Sequence, residues 1–215
     1  MMYAMRYNVI LFVTASLWLP SFAFATVGGP QNIEVLGLDQ ADQKVYLMRH
    51  YLDGRGRLPQ LYYYQLNRTQ TNSKQSPVKL IEVKSLYINP KTKRIDYDQN
   101  SQKFDREIAK IKKRLKPLTP IRASSAKIQI LSKKTVYVAS WFDPEIKVPQ
   151  FSYTYRIRYG KYKSPVQKAV DYKTGLSISQ RYQIPQHNKV LMTVKYLGIP
   201  FETGYSIEDP VILTP

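Results

Sequence analysis

Residues 151 to 159 alternate with a period of two: Phe151, Tyr153, Tyr155, Ile157 and Tyr159 are interleaved with Ser152, Thr154, Arg156 and Arg158. Successive side chains of a strand point to opposite faces, so this run reads as a strand with one apolar and one polar face. The pattern then repeats. Gly160-Lys161 makes a turn, and Val166, Val170 and Tyr172 share a face beyond it. Lys173-Thr174-Gly175 turns again, and Leu176, Ile178, Tyr182 and Ile184 alternate with Ser177, Ser179, Arg181 and Gln183. After a turn over 185–188, Val190, Met192, Val194 and Tyr196 stand opposite Thr193 and Lys195. Residues 151–197 therefore predict a four-stranded antiparallel meander with one apolar face and one Ser/Thr/Arg/Lys face.

A sheet with a bare apolar face needs a cover. Phe104, Ile108, Ile111 and Leu115 fall at helical spacing, which predicts an amphipathic helix over 101–116, stopped by Pro117. Its other faces are basic, most densely in the last turns, where cations suit the helix dipole. This helix is the expected cover for the meander.

Upstream, 33–38, 44–52 and 58–66 read as strands separated by turn formers at 39–43 and 53–57. They predict an N-terminal three-stranded antiparallel unit. Residues 67–76 (NRTQTNSKQS) are polar and unpatterned and Pro77 follows, the marks of a linker. Residues 80–88 are strand-like and 89–93 form a turn. Two further strands are expected at 127–131 and 135–142, with Ser132-Lys133-Lys134 as a hairpin turn between them. The tail after Gly198 is expected along a sheet edge, with a short strand at 211–213. The fold class is α+β, β-rich. The expected organisation is a leader (1–25), a three-stranded unit (26–66), a linker (67–79) and an α+β domain (80–215), the two folded parts being able to form one body.

The leader reads as a secretory signal. Arg6 precedes an apolar stretch over 8–19, Pro20 breaks it, and Ala23-Phe24-Ala25 is an A-x-A cleavage site. About 20 apolar residues are needed to span a bilayer, and this run is shorter. The full chain of 215 residues carries 33 Lys+Arg, 15 Asp+Glu and a formal charge of +18. Cleavage after Ala25 removes one cation and no acid, leaving +17. The chain has no Cys, so disulfides, thiol nucleophiles and cysteine-ligated metals are excluded. An exported, basic, Cys-free chain points to a bacterial envelope, the periplasm first and the extracellular space second.

No chemistry-bearing motif stands out. His50 lies in an expected strand and His187 in a turn, with no metal-ligand spacing between them. Asp39 and Asp42 sit in a turn, where carboxylates ordinarily accept turn amides. There is no G-x-S-x-G and no phosphate-binding glycine loop. No catalytic residue, metal or cofactor is assigned, and a hydrolase would require His50, Asp39 or Asp42 to meet in one cleft.

Charge is the remaining signal. Surplus positive charge attracts polyanions, and paired guanidinium groups grip phosphate or carboxylate. Arg156, Arg158, Arg181 and Lys195 are expected together on the polar face of the meander as an anion-binding set. The expected partner is an anionic envelope component such as lipid headgroups, lipopolysaccharide or an acidic polymer. A protein partner is also compatible. Nucleic acid is disfavoured, because the alternation places Tyr opposite Arg and leaves no basic stacking platform. Tyr is abundant, at 18 residues, which suits a thin core whose ring hydroxyls find partners. Residues 170–196 (VDYKTGLSISQRYQIPQHNKVLMTVKY) resemble the meanders of half-barrel periplasmic lipoprotein carriers. That resemblance implies an alternative role, carriage of a lipid or lipoprotein on the apolar sheet face.

Overall fold

A computed structural model describes residues 28–67, 78–122, 125–173, 175–200 and 204–215. The expected leader and most of the expected linker lie outside the described residues. The architecture is β-rich α+β, as the alternation predicts. Its elements are β1 (Gln31–Asp39), β2 (Lys44–Tyr51), β3 (Gln60–Gln65), β4 (Leu80–Glu82), α1 (Ser101–Lys112), β5 (Thr119–Pro120), β6 (Lys127–Ala139), β7 (Lys147–Tyr159), β8 (Tyr162–Lys163), β9 (Gln167–Asp171), β10 (Ser177–Gln183), β11 (Val190–Ile199) and β12 (Tyr205–Leu213). A large sheet runs in the order β4-β3-β2-β1-β12-β11-β10-β5, and a small sheet holds β6, β7, β8 and β9, with β8 and β9 both pairing β7.

The N-terminal strands form the antiparallel unit expected of them. Asp39 Oδ1 accepts the Asp42 amide at 3.2 Å and closes the β1–β2 turn. A bulge between Val35 and Gly37 bends β1. Gly37 takes φ 139° there, and a Cβ on it would lie 2.6 Å from the Lys116 carbonyl oxygen. Beside the bulge, Leu38 and Lys116 exchange two backbone hydrogen bonds of 2.8 and 2.9 Å. Next along that segment, β5 pairs with β10. The stretch from Lys116 to β5 thus links β1 back to β10 and closes a hydrogen-bonded circuit through β12 and β11. Inside it, Ile33, Leu38, Val45, Leu47 and Tyr64 pack with Leu118, Ile184, Leu191 and Ile212.

Helix α1 covers the N-terminal unit, which corrects its expected place over residues 151–197. Asn100 caps it, accepting the Gln102 amide at 2.9 Å, and its buried Phe104 and Ile108 pack with Tyr46, Met48, Leu61 and Tyr87. The apolar stripe is the predicted one, but its target differs. Residues 151–197 need no helix because they cover themselves. Within them β7, β8 and β9 belong to the small sheet, while β10 and β11 belong to the large one. The chain crosses between layers just after β9. Asp171, fully buried, secures the crossing by accepting the Lys173 and Gly175 amides at 3.1 and 3.0 Å and the Leu197 amide at 3.0 Å. The two halves then face each other, with Tyr153, Tyr155 and Ile157 against Val190, Met192 and Val194. Each such buried large side chain contributes about 1.5–3 kcal/mol of transfer free energy. The single four-stranded meander is therefore replaced by two layers.

Two further expectations are corrected. Ser132-Lys133-Lys134 is not a turn: β6 runs unbroken for 13 residues beside β7, with a bulge between Ile130 and Ser132. Three polar residues sit mid-strand because β6 is a solvent-facing edge. The tail is not peripheral either, for β12 lies between β1 and β11. It meets β1 in register at Gln31↔Ile207, and beyond that the Ile33 amide bonds to the Glu208 carboxylate at 2.9 Å instead of a ladder carbonyl. Pro210, which has no N–H to give, is tolerated in a strand whose one flank has lost its ladder.

Candidate anion-binding face

The small sheet presents two unlike surfaces. On β7 the residues Tyr153, Tyr155 and Ile157 are buried toward the large sheet, so Ser152, Thr154, Arg156 and Arg158 point the other way. Directly paired residues share a face, and the register extends this outer surface across the strands. Lys127 and Lys163 flank Arg158, Gln129 flanks Arg156, Lys168 flanks Thr154, and Lys134 flanks Ser152. Six cations therefore share one face, and none of its register positions holds a carboxylate. Adjacent strands lie about 4.8 Å apart and alternate residues about 6.6 Å apart. Phosphate groups spaced along a surface can bridge such a lattice.

Arg158 is oriented by its own neighbour, with Nε donating to Gln129 Oε1 at 2.8 Å. Arg156 is half-buried, and its Nε has no hydrogen-bond partner among the described residues. Lys127, Lys134, Lys163 and Lys168 are exposed. The ion pairs among the described residues engage Lys44, Arg49, His50, Arg57, Lys110, Lys112 and Arg114, and none of the six.

The four residues expected to act together are divided. Arg156 and Arg158 remain on this outer face. Arg181 does not join them: a register shift between Ile178 and Arg181 places it opposite Met192, on the side of the large sheet that packs under the small one. There it is half-buried, with Nη2 donating to the Ile178 carbonyl at 3.3 Å. Lys195 pairs with Ser177 and Glu208, on the opposite side of the large sheet from Met192. Lys127, Lys134, Lys163 and Lys168 escape sequence reasoning. The bulge at Leu131 breaks the alternation of β6, and β8 is too short to show any.

Other polar clusters serve the fold. Glu208, 3% exposed, accepts the Ile33 amide on one oxygen, and Gln180 and Thr193 on the other. Burial pushes its pKa up, but the Ile33 amide, Thr193, Gln180 and Ser179 together outweigh burial and hold it below the ordinary carboxylate value. Gln180 also donates to the Ile33 carbonyl at 2.7 Å, so two side chains replace the ladder that β12 no longer gives β1. Nearby, Arg49 donates to Asp209 at 2.7 Å and to Gln31 at 3.1 Å, and the Tyr196 hydroxyl donates to Asp209. Burial, then the Asp209 carboxylate, drives the Tyr196 pKa far above its usual value. The Arg49–Asp209 pair lines a cleft of about 330 Å³ with Tyr64 and Tyr155, and its charges are already matched.

His50 and the turn carboxylates do not converge. His50 contacts Glu34 at 2.8 Å, and Lys112 of α1 reaches the other Glu34 oxygen at 2.9 Å. Asp39 is held by Arg114 at 2.7 Å, and Asp42 by Lys44 at 3.2 Å. His187 occupies the turn between β10 and β11. Among the described residues no group of three or more His, Asp or Glu side chains is placed to hold a metal, and no helix is long and apolar enough to cross a membrane.

Fold and face together define a basic, β-rich α+β protein whose small sheet carries six cations and no carboxylate at the register positions of its outer face. No protein family, curated protein or solved structure matches the chain.

Proposed function

We propose that this protein is an exported, non-enzymatic, periplasmic component of a bacterial envelope that binds an anionic partner through the outer face of the small sheet. The observation that carries the reading is the grouping of Lys127, Lys134, Arg156, Arg158, Lys163 and Lys168 on one face without an opposing carboxylate. Fold stability does not call for it, since like charges this close repel one another. A polyanion relieves that repulsion and draws its encounter rate from the same field. The leader at 1–25 and the absence of Cys support the location.

The test is co-sedimentation with phosphatidylglycerol vesicles or lipopolysaccharide at low and high salt. Binding should weaken steeply with salt, because about 1 kcal/mol per cation is at stake near an anionic surface. Equal binding by a variant with all six cations changed to Gln removes the proposal.

Lipid carriage has one observation in its favour. A shallow groove of about 350 Å³ is lined by Ile128, Ile130, Tyr153, Leu176 and Lys133, and could seat an acyl chain beside an ammonium. The rest of the space between the layers is filled by side chains, so lipid found in the purified protein would have to be displaced by bulk added at Ile130.

A further inference from the structure

The β6–β7 ribbon continues past its neighbours. β9 leaves β7 at Phe151↔Asp171, and β8 reaches only Arg158 and Tyr159. Residues 136–150 are therefore a two-stranded ribbon closed by a turn at 140–146. No residue from 129 to 150 belongs to a core cluster. An unsupported two-stranded ribbon is at best marginally stable in water. Its turn is nonetheless well built: Ser140 donates to the Ile146 carbonyl at 2.8 Å, and Asp143 Oδ1 accepts the Glu145 amide at 2.9 Å.

The end of the ribbon is strongly apolar. Tyr137, Phe142, Trp141 and Ile146 are 71%, 62%, 47% and 44% exposed. Val136, Val138 and Val148 lie on its outer face, continuing the surface that carries Lys134 and Arg156. The turn bearing Trp141, Phe142 and Ile146 caps the end of that face, whereas Tyr137, paired with Pro149, stands on the reverse side of the ribbon. Glu145 is exposed at the tip, and Lys147 stands two residues away.

A dissolved polyanion would engage the cations and leave the rings in water. A bilayer surface engages both, since headgroup phosphates meet the cations while amphipathic rings settle at headgroup depth. We infer that the outer face of the small sheet docks on an anionic phospholipid bilayer with Trp141, Phe142 and Ile146 of the ribbon's turn seated in the interface. This rests on the anion-binding reading and names its partner.

The sequence supplies a reporter. The chain has two Trp, and the processed form that begins at Thr26 loses Trp18 and keeps Trp141. All described elements lie within that form. It is mixed with phosphatidylcholine vesicles, with and without phosphatidylglycerol, whose acyl chains carry bromine as a quencher. Trp141 emission should shift to the blue and be quenched when phosphatidylglycerol is present. A Phe142→Ser/Ile146→Ser variant should bind about tenfold more weakly with its salt dependence intact.

Salt-sensitive vesicle binding without quenching overturns the inference and leaves the anion-binding reading standing. Capture of soluble polyphosphate with no vesicle binding does the same. A concentration-dependent blue shift without vesicles, matched by self-association in sedimentation, assigns the tip to a contact between copies and overturns it too. Failure to bind any anion removes both.

Discussion

Around β12 the large sheet hides polar side chains, and each has a partner. Glu208 holds the Ile33 amide, Gln180 and Thr193, and Asp209 holds Arg49 and Tyr196. On the outer face of the small sheet six cations stand with no carboxylate at any register position. Buried charge without a partner is costly, and the groups around β12 are matched accordingly. Exposed charge has no such requirement, and a one-signed group on a sheet contributes nothing to holding the sheet together. The contrast separates polar residues that build the molecule from those left available to something outside it.

The contrast breaks most visibly at Glu208. Glu208→Leu strands two buried donors, the Ile33 amide and the Thr193 hydroxyl, and should cost about 3–5 kcal/mol, read as a lower urea midpoint. A midpoint shift under about 1 kcal/mol would mean the clasp does not secure β12 to β1. Next in size is Gly37→Ala. Its Cβ would meet the Lys116 carbonyl at 2.6 Å in a backbone with φ 139°, for an expected cost of about 2–3 kcal/mol. Gly56→Ala, at φ 68° with open space around it, should cost about 1 kcal/mol.

On the small sheet the pattern inverts. Arg156→Gln/Arg158→Gln should leave the urea midpoint within about 0.5 kcal/mol and weaken binding to phosphatidylglycerol vesicles by about thirtyfold. Arg181→Gln/Lys195→Gln should leave that binding unchanged, because those side chains lie on other faces. Equal losses from both pairs would restore the single face that the alternation suggests.

The smallest effect is a pH slope. The folded pKa of Glu208 lies below its ordinary carboxylate value, so the unfolded chain binds this proton more readily than the folded one. The contribution is complete above the unfolded pKa and is lost as pH falls through the folded value. Stability of the native chain should therefore fall with acid below about pH 4.3, and Glu208→Gln should flatten that slope. An equal slope in both chains would assign acid sensitivity elsewhere, with Glu34 next, since Lys112 and His50 overcome its burial and lower its pKa too.

Much of the fold is legible locally. The strands at 33–38 and 44–52, the stripe Phe104, Ile108, Ile111 and Leu115, and the inward rings of β7 all follow from periodicity, because each depends on neighbours a few residues away. Two bulges defeat the same logic. One at Leu131 hides the continuity of β6, and one between Ile178 and Arg181 turns Arg181 to the opposite face. A single extra residue reverses every later side chain, and no composition signal marks where it falls.

The sequence by itself determined the strands, the helix, the excess of positive charge and the inward direction of Tyr153, Tyr155 and Ile157, since these are properties of short windows of chain. Tertiary structure alone decided which cations stand together. Lys127, Arg158 and Lys163 come from three strands and become neighbours only when hydrogen bonds fix their register. Arg156 and Arg181, alike in sequence context, are parted because buried Asp171 turns the chain from one layer into the other.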